Sequence, residues 1–447
     1  MDAMQLYGDI RIERLAFGGD GVGHLPDGRV VFVAGTCPGD TVDVRATAEK
    51  GSFVRGRVEH LVRPGAKRVV PACAYAADGT CAGCPWAHIS YETQLAWKRQ
   101  SLVDALGRIS GLDGTRISRV VQPIVPSARE WGYRNKVEFA CGAGPRGKHA
   151  LGMHDVDGAF HTVDSCLLAA ERFRGAPKAL AGAMRYALGD AFEGVERMGL
   201  RVACGTGDVE LAIWSPPGRF PRKLAAQVAK DALGAKGAGV VRVLVKGPLK
   251  QRKTSGVEVL AGRGSWREKL AGRELKISAP SFFQVNTAGA EQLVRLVMEG
   301  AEPSGIDVVA DLYCGTGAFT LPLAADALLV HAVEMEGSSV RDLRRNLSDN
   351  GLDAHVVGGD VARELPSLGR LDKVVVDPPR SGLDASVVDA LAASRASRVV
   401  YVSCNPTTLA RDAKRLEELG FCLEKATPVD LFPQTYHVET VAVFTKG

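Results

Sequence analysis

Four apolar runs in the last third of the chain each carry a carboxylate at or near their C-terminal end. VVADLY holds Asp311, VHAVE ends at Glu334, HVVGGD ends at Asp360 and KVVVDPP carries Asp377. Helical stretches such as SVRDLRRNL, SVVDALAAS and LARDAKRLEEL are interleaved with such runs. Short apolar strands alternating with helices predict a parallel α/β sheet, because parallel neighbours need a crossover connection. Open sheets of this kind bind ligands at the carboxyl ends of their strands. The four acids therefore line one binding edge.

The stretch DLYCGTGAF, residues 311–319, joins the first of these strands to a helix. Gly315 and Gly317 permit a tight turn and close approach of a ligand to backbone. The full G-x-G-x-x-G phosphate loop is absent, because position 320 is Thr. An acid-lined loop repels phosphate, whereas Glu334 can accept from ribose hydroxyls. A cationic, phosphate-free nucleoside suits such an edge, which points to S-adenosylmethionine. A later strand, VVYVSCNP, ends in Cys404. Alone it reads as either a packed thiol or a nucleophile.

The rest of the chain is less uniform. At 447 residues it is long enough for two or three domains. Residues 8–63 alternate apolar with polar positions between glycine turns, predicting a small OB-like barrel, either a binder of single-stranded nucleic acid or a purely structural module. Residues 91–110 have helical spacing, with Lys98, Arg99 and Arg108 expected away from the apolar face. From about 120 to 276 the pattern is mixed α+β. The net charge of +5 hides a contrast: residues 61–150 and 241–276 each carry +7, and residues 277–447 carry −8. A basic middle is the footprint of a polyanion binder. No basic leader precedes an apolar stretch and no run is long enough to span a bilayer, so the expectation is a cytoplasmic protein away from membranes.

Ten cysteines in such a chain are not a disulfide framework. Cys73, Cys81 and Cys84 cluster in CAYAADGTCAGC, a grouping that favours a metal site, with Cys166 the best fourth ligand. Zinc with His88 as an alternative ligand and an iron–sulfur centre both fit the spacing. Cys37, Cys141, Cys204, Cys314 and Cys422 stand singly and are expected to pack.

FFQVN (282–286), DLYCGTGAFTLPLA, DPPRSGL (377–383), SCNPTTLARD, FPQTYHVETVAVF and GYRNKVEF (132–139) together resemble the RNA uridine-5 methyltransferases of the TrmA/RumA/RlmD superfamily. The likeness extends over essentially the whole chain. It implies a TRAM barrel over 1–63, a central iron–sulfur and RNA-binding domain over 64–276, and a Rossmann-like methyltransferase domain over 277–447. The helix near 90–122 would pack on the catalytic domain. It implies Cys404 as nucleophile and Glu439 as base. Gln284, Tyr313, Gly315, Gly317, Glu334 and Asp377 would line the S-adenosylmethionine and uracil sites, with Asp360 near the adenine. Cys73, Cys81, Cys84 and Cys166 would hold a [4Fe-4S] cluster of structural role. The chain departs from many relatives at Ala318, where they carry Asn, and in a longer first cysteine gap.

The chemistry asks for these residue types. C5 of uracil is a poor nucleophile until a thiolate adds to C6, and a carboxylate must then remove the C5 proton. Arg411 or strand-end amides could lower the pKa of the thiol. Asn405-Pro406 would bar a simple helical continuation, and Asp377 would bond the uracil imide. Phe282 and Phe283 are candidate stacking partners. The expected substrate is a uridine in structured RNA, 23S ribosomal RNA ahead of transfer RNA, with no obligate protein partner. The rivals are a non-catalytic RNA-binding or ribosome-assembly protein, a redox protein and a small-molecule methyltransferase.

Overall fold

The computed structural model describes residues 5–248 and 252–446. Its N-terminal sheet has six strands, Leu6–Arg11, Arg14–Leu15, Gly21–His24, Val30–Ala34, Thr41–Lys50 and Phe53–Arg63. Alternate residues point inward, so Ile10, Val31, Val33, Val42, Val44 and Val54 make a dry core. The first two strands are one bent run. Ile12 bonds to Asp40 and Glu13 to Val22 through their amides, which joins the sheet's two edges. The buried Asp40 carboxylate receives the amides of Cys37 and Gly65 and the guanidinium of Arg68, fastening the barrel to the segment that leaves it.

The middle of the chain forms a seven-stranded sheet. Helices Ala176–Leu188 and Arg222–Ala232 cover one face through Leu180, Met184, Ala225 and Ala229. The hairpin Trp266–Leu270/Arg273–Ile277 leaves that sheet, and its Trp266, Leu275 and Ile277 pack with helix Thr287–Ala301.

The C-terminal sheet contains β1 (Val308–Leu312), β2 (Leu329–Glu334), β3 (His355–Gly358), β4 (Lys373–Val376), β5 (Arg398–Ser403), β6 (Phe421–Val429) and β7 (Glu439–Lys446). Their order is β3-β2-β1-β4-β5-β7-β6, parallel except for β7. Val375, Val376, Val400 and Val402 are buried, as strands covered on both faces require. The order turns back between β1 and β4, where a crevice opens. Among the described residues no helix is long and apolar enough to cross a membrane.

Helix Tyr91–Ala105 belongs to this domain's packing despite its place in the chain. Leu102, Ala105 and Leu106 enter the core with Val399, Tyr401 and Leu409. The segment beyond it pairs in parallel with β6 through Val121 and Val125. Lys98, expected on the outer face, is wholly buried. Its ammonium meets Asp430 at 2.6 Å and the Phe432 carbonyl at 3.0 Å. Asp430 also accepts from Tyr91. The partner lies far along the chain, so helical spacing alone assigned this lysine to solvent.

Removing one member of a buried ion pair strands the other charge. Lys98→Met should lower the unfolding free energy by about 3–5 kcal/mol, measured by urea titration. The double variant with Asp430→Leu should recover most of that loss.

Candidate active site

Every expected cofactor residue from the last third lies at the carboxyl edge of β1–β4 or just beyond it. Tyr313 follows β1 with φ of 63°, and Gly315 and Gly317 take φ of 56° and 100°. A side chain at Gly317 would meet Leu321 and Leu343 at 2.6 Å, so glycine is required there for both backbone and space. The Gly315 amide donates to Glu334, as does that of Glu336, which fixes the carboxylate at the end of β2. Asp360 caps the short helix after β3 by accepting from the Ala362 amide. Asp311 is fully buried, bonded by Thr320 through one oxygen and, among the described residues, unpartnered at the other. Burial, with the charges of Asp377 and Glu334, pushes it up to about 7.

The second half of the site is built by β4, β5 and β7. Ser403 pairs with Thr440 in the antiparallel register of β5 and β7. Continuing that register by one residue brings Glu439 opposite Cys404. Glu439 is buried, and desolvation with the charge of Asp377 raises its carboxyl well above the usual range. Burial, Glu439 and Asp377 push the Cys404 thiol up to about 11, while Arg380 pulls it down. Asp377 is pushed up to about 7 by burial. Three acidic groups and one guanidinium thus act on one another at this edge.

Arg380 was not singled out from the sequence, although it directly follows the two prolines that fix Asp377. Arg411, offered together with strand-end amides as a group to lower the thiol pKa, bonds Asp412 and the carbonyls of Ser381 and Leu383. Asn405 caps the helix Pro406–Glu418, accepting from Thr407, and Pro406 is its first residue. The proline therefore starts the helix rather than barring it, since its missing N–H is one the first turn does not need.

Gln284 sits in a loop clamped from the middle domain, because Asn135 donates to the Gln284 carbonyl and to Thr287. The aromatic pair divides: Phe282 is 65% exposed, whereas Phe283 is buried against the edge of Trp266. Only Phe282 is free to stack on a base.

Cys73, Cys81, Cys84 and Cys166 come together on the wall of one cavity of about 100 Å³, beside Arg134 and Met153. Burial raises the Cys81, Cys84 and Cys166 thiols, and the Nε of Arg134 has no acceptor among the described residues. No group of three or more His, Cys, Asp or Glu among the described residues is arranged to hold a metal ion. His88 is not on this wall: its Nε2 contacts the Thr36 carbonyl at 3.1 Å. Of the single cysteines, Cys37 and Cys314 are buried and Cys141 is half-buried. Cys204 and Cys422 are exposed, against expectation, because they lie at strand ends.

Residues 267–446 match the model of the tRNA (Uracil-5-)-methyltransferase family, and residues 8–58 match the TRAM domain. The chain is 37% identical to an uncharacterized RNA methyltransferase of Thermosynechococcus vestitus, covering 98% of each chain. It is 36% identical to another from Gloeobacter violaceus, covering 98% of this chain and 96% of that one. Its fold is similar to the tRNA (uracil-54, C5)-methyltransferase of Pyrococcus abyssi, solved with S-adenosyl-L-homocysteine. That likeness has a TM-score of 0.74 at 25% identity, over 98% of this chain and all of that one.

Asp377 is held above its unfolded value, so folding takes up a proton from about pH 4 to about pH 7. The native state loses stability as pH rises through that window. Asp377→Asn should melt close to wild type near pH 4 and progressively above it up to about pH 7, with a constant difference beyond. A gap independent of pH in scanning calorimetry would contradict this environment.

Proposed function

Because the chain belongs to the RNA (uracil-5-)-methyltransferase family and carries a TRAM domain ahead of its catalytic part, we propose that it methylates C5 of a uridine in structured RNA through a covalent Cys404 adduct. The observation that carries this reading is that Cys404 and Glu439 adjoin the paired residues Ser403 and Thr440, with Asp377 and Arg380 acting on both of them.

S-adenosylmethionine supplies the electrophilic methyl group and a positive charge. Gly315 and Gly317 would let it approach backbone, Glu334 would hold its ribose, Asp360 would lie near its adenine, and Gln284 and Tyr313 would line the space it shares with the uracil. The Cys404 thiolate adds to C6, and the C5–C6 π pair becomes enolate density at C5. C5 takes the methyl while the donor's bond to that methyl breaks. Glu439 then accepts the C5 proton, the C6–sulfur bond breaks with its electrons returning to sulfur, and the ring regains conjugation. Arg380 is the cation that the chain itself supplies to favour thiolate and carboxylate over their neutral forms. Asp377, neutral when its burial holds it protonated, can donate to a uracil carbonyl, which a cytosine would not match at the same edge.

A uridine inside folded RNA must be unstacked to reach Cys404, and the exposed Phe282 is the aromatic face for it. 23S ribosomal RNA is the first substrate to test. Transfer RNA is the second reading, favoured by the full-length likeness to an enzyme of tRNA uracil-54.

The four cysteines on one cavity wall, with an acceptor-less buried guanidinium nitrogen beside them, fit an anionic [4Fe-4S] cluster. Cys73, Cys81, Cys84 and Cys166 would hold the cluster, which supplies no step of the reaction. Its part is to clamp the segment around Tyr133, whose hydroxyl bonds the Pro433 carbonyl six residues before Glu439.

Purified protein should transfer label from S-adenosylmethionine into 5-methyluridine of unmodified ribosomal RNA, and Cys404→Ala should abolish the transfer. Glu439→Gln should instead accumulate a methylated protein–RNA adduct that survives denaturing electrophoresis. Label in transfer RNA alone would move the substrate to the second reading. Iron and acid-labile sulfide should be found in stoichiometric amounts and fall with Cys166→Ser.

A further inference from the structure

The mechanism leaves unexplained how Arg380 is held. It is exposed and makes no ion pair among the described residues, so the long side chain has many positions open to it. Its guanidinium has one side-chain partner there, Nδ1 of His437, at 3.0 Å. A guanidinium only donates, so Nδ1 must present its lone pair and the imidazole must be neutral. The ring's surroundings enforce that state. Burial, Arg380, Lys98 and Arg134 together push His437 down to about 4.

His437 is itself braced. Its ring lies 4.3 Å from that of Tyr436 and 5.9 Å from that of Phe432. Tyr436 is set edge-on between Phe17 of the barrel and Trp86. The indole of Trp86 donates to the Gly19 carbonyl, and its amide donates to that of Gln434. A side chain at Gly19 would meet the Tyr436 ring at 2.7 Å, so the barrel loop closes directly on this tyrosine. On the other side, the Arg380 carbonyl accepts from Asn405, the residue after Cys404.

We propose that His437 is a positioning residue, a neutral acceptor that holds the Arg380 guanidinium beside Cys404 and Glu439 while the thiolate forms and adds to C6. This rests on the thiolate reading given above. The charged groups acting on the thiol are Glu439 and Asp377, which oppose ionisation, and Arg380, which favours it. Freeing Arg380 leaves the two acids in control. The thiol then ionises at higher pH.

The test uses full-length protein and transcribed ribosomal or transfer RNA carrying 5-fluorouridine. After thiolate addition and methyl transfer, fluorine cannot leave C5 as a cation, so the adduct persists and its rate of formation is read directly. His437→Phe keeps a ring but offers no acceptor; His437→Asn offers a neutral one. The Phe variant should form adduct roughly ten- to a hundredfold more slowly at saturating RNA, with its rate–pH profile moved to higher pH. Affinities for RNA and S-adenosylmethionine should be unchanged, and the Asn variant should recover part of the rate. A Phe variant with wild-type rate and profile overturns the assignment. So does a loss confined to RNA affinity, or an Asn variant no faster than Phe. Should the Phe variant not fold, the pH profile of the Asn variant decides: it must fall between wild type and Arg380→Gln. Wild-type protein that forms no adduct overturns the thiolate reading and this role together.

Discussion

The segment Asp430–Val438 is the constraint on which the rest of the molecule turns. It links β6 to β7 and leads directly into Glu439, so its path decides where that carboxylate points. Lys98 and Tyr91 hold its first residue, Gln94 bonds Gln434, and Tyr133 bonds Pro433. Tyr436 carries the contact on to the barrel. Three regions that are distant in sequence therefore meet at one loop. A buried ion pair is weak evidence for stability, since desolvating two charges offsets their attraction. Its value here is location: a buried lysine and a buried aspartate that must meet set one register for helix and loop.

The pocket is less evenly matched in charge. Asp311, Asp377, Glu439 and Cys404 are acidic groups at the carboxyl edge of the sheet, each raised by burial or by its neighbours. Packed this way they destabilise the free protein above the pH at which they would ionise in water. The same arrangement makes the site responsive to positive charge, whether from the methyl donor or from Arg380.

Much of this was legible in the chain. Alternation of apolar residues foretold the barrel, because period two leaves one face to bury. Acids at successive strand ends foretold the crevice, because parallel order brings all those ends to one edge. Chemistry and resemblance singled out Cys404 and Glu439, and they adjoin the last pair of β5 and β7, Ser403 with Thr440. The four clustered cysteines share a cavity even though Cys166 stands far from the other three.

Composition and spacing could not show partners. Lys98 looked solvated until Asp430 was found beside it; Arg411 looked like the cation of the site until its bonds to Asp412 and two carbonyls were seen. Phe283 and Phe282 are neighbours with opposite fates, and His88 turns to a barrel carbonyl rather than to sulfur. By itself the sequence determined the periodic elements, the order of the domains and the reactive residue types, all of which depend on near neighbours in the chain. Tertiary structure alone decided which charges pair, which thiols share a wall and which cation acts on Cys404. Those outcomes depend on contacts between residues far apart in the chain, and side-chain polarity carries no information about so remote a partner.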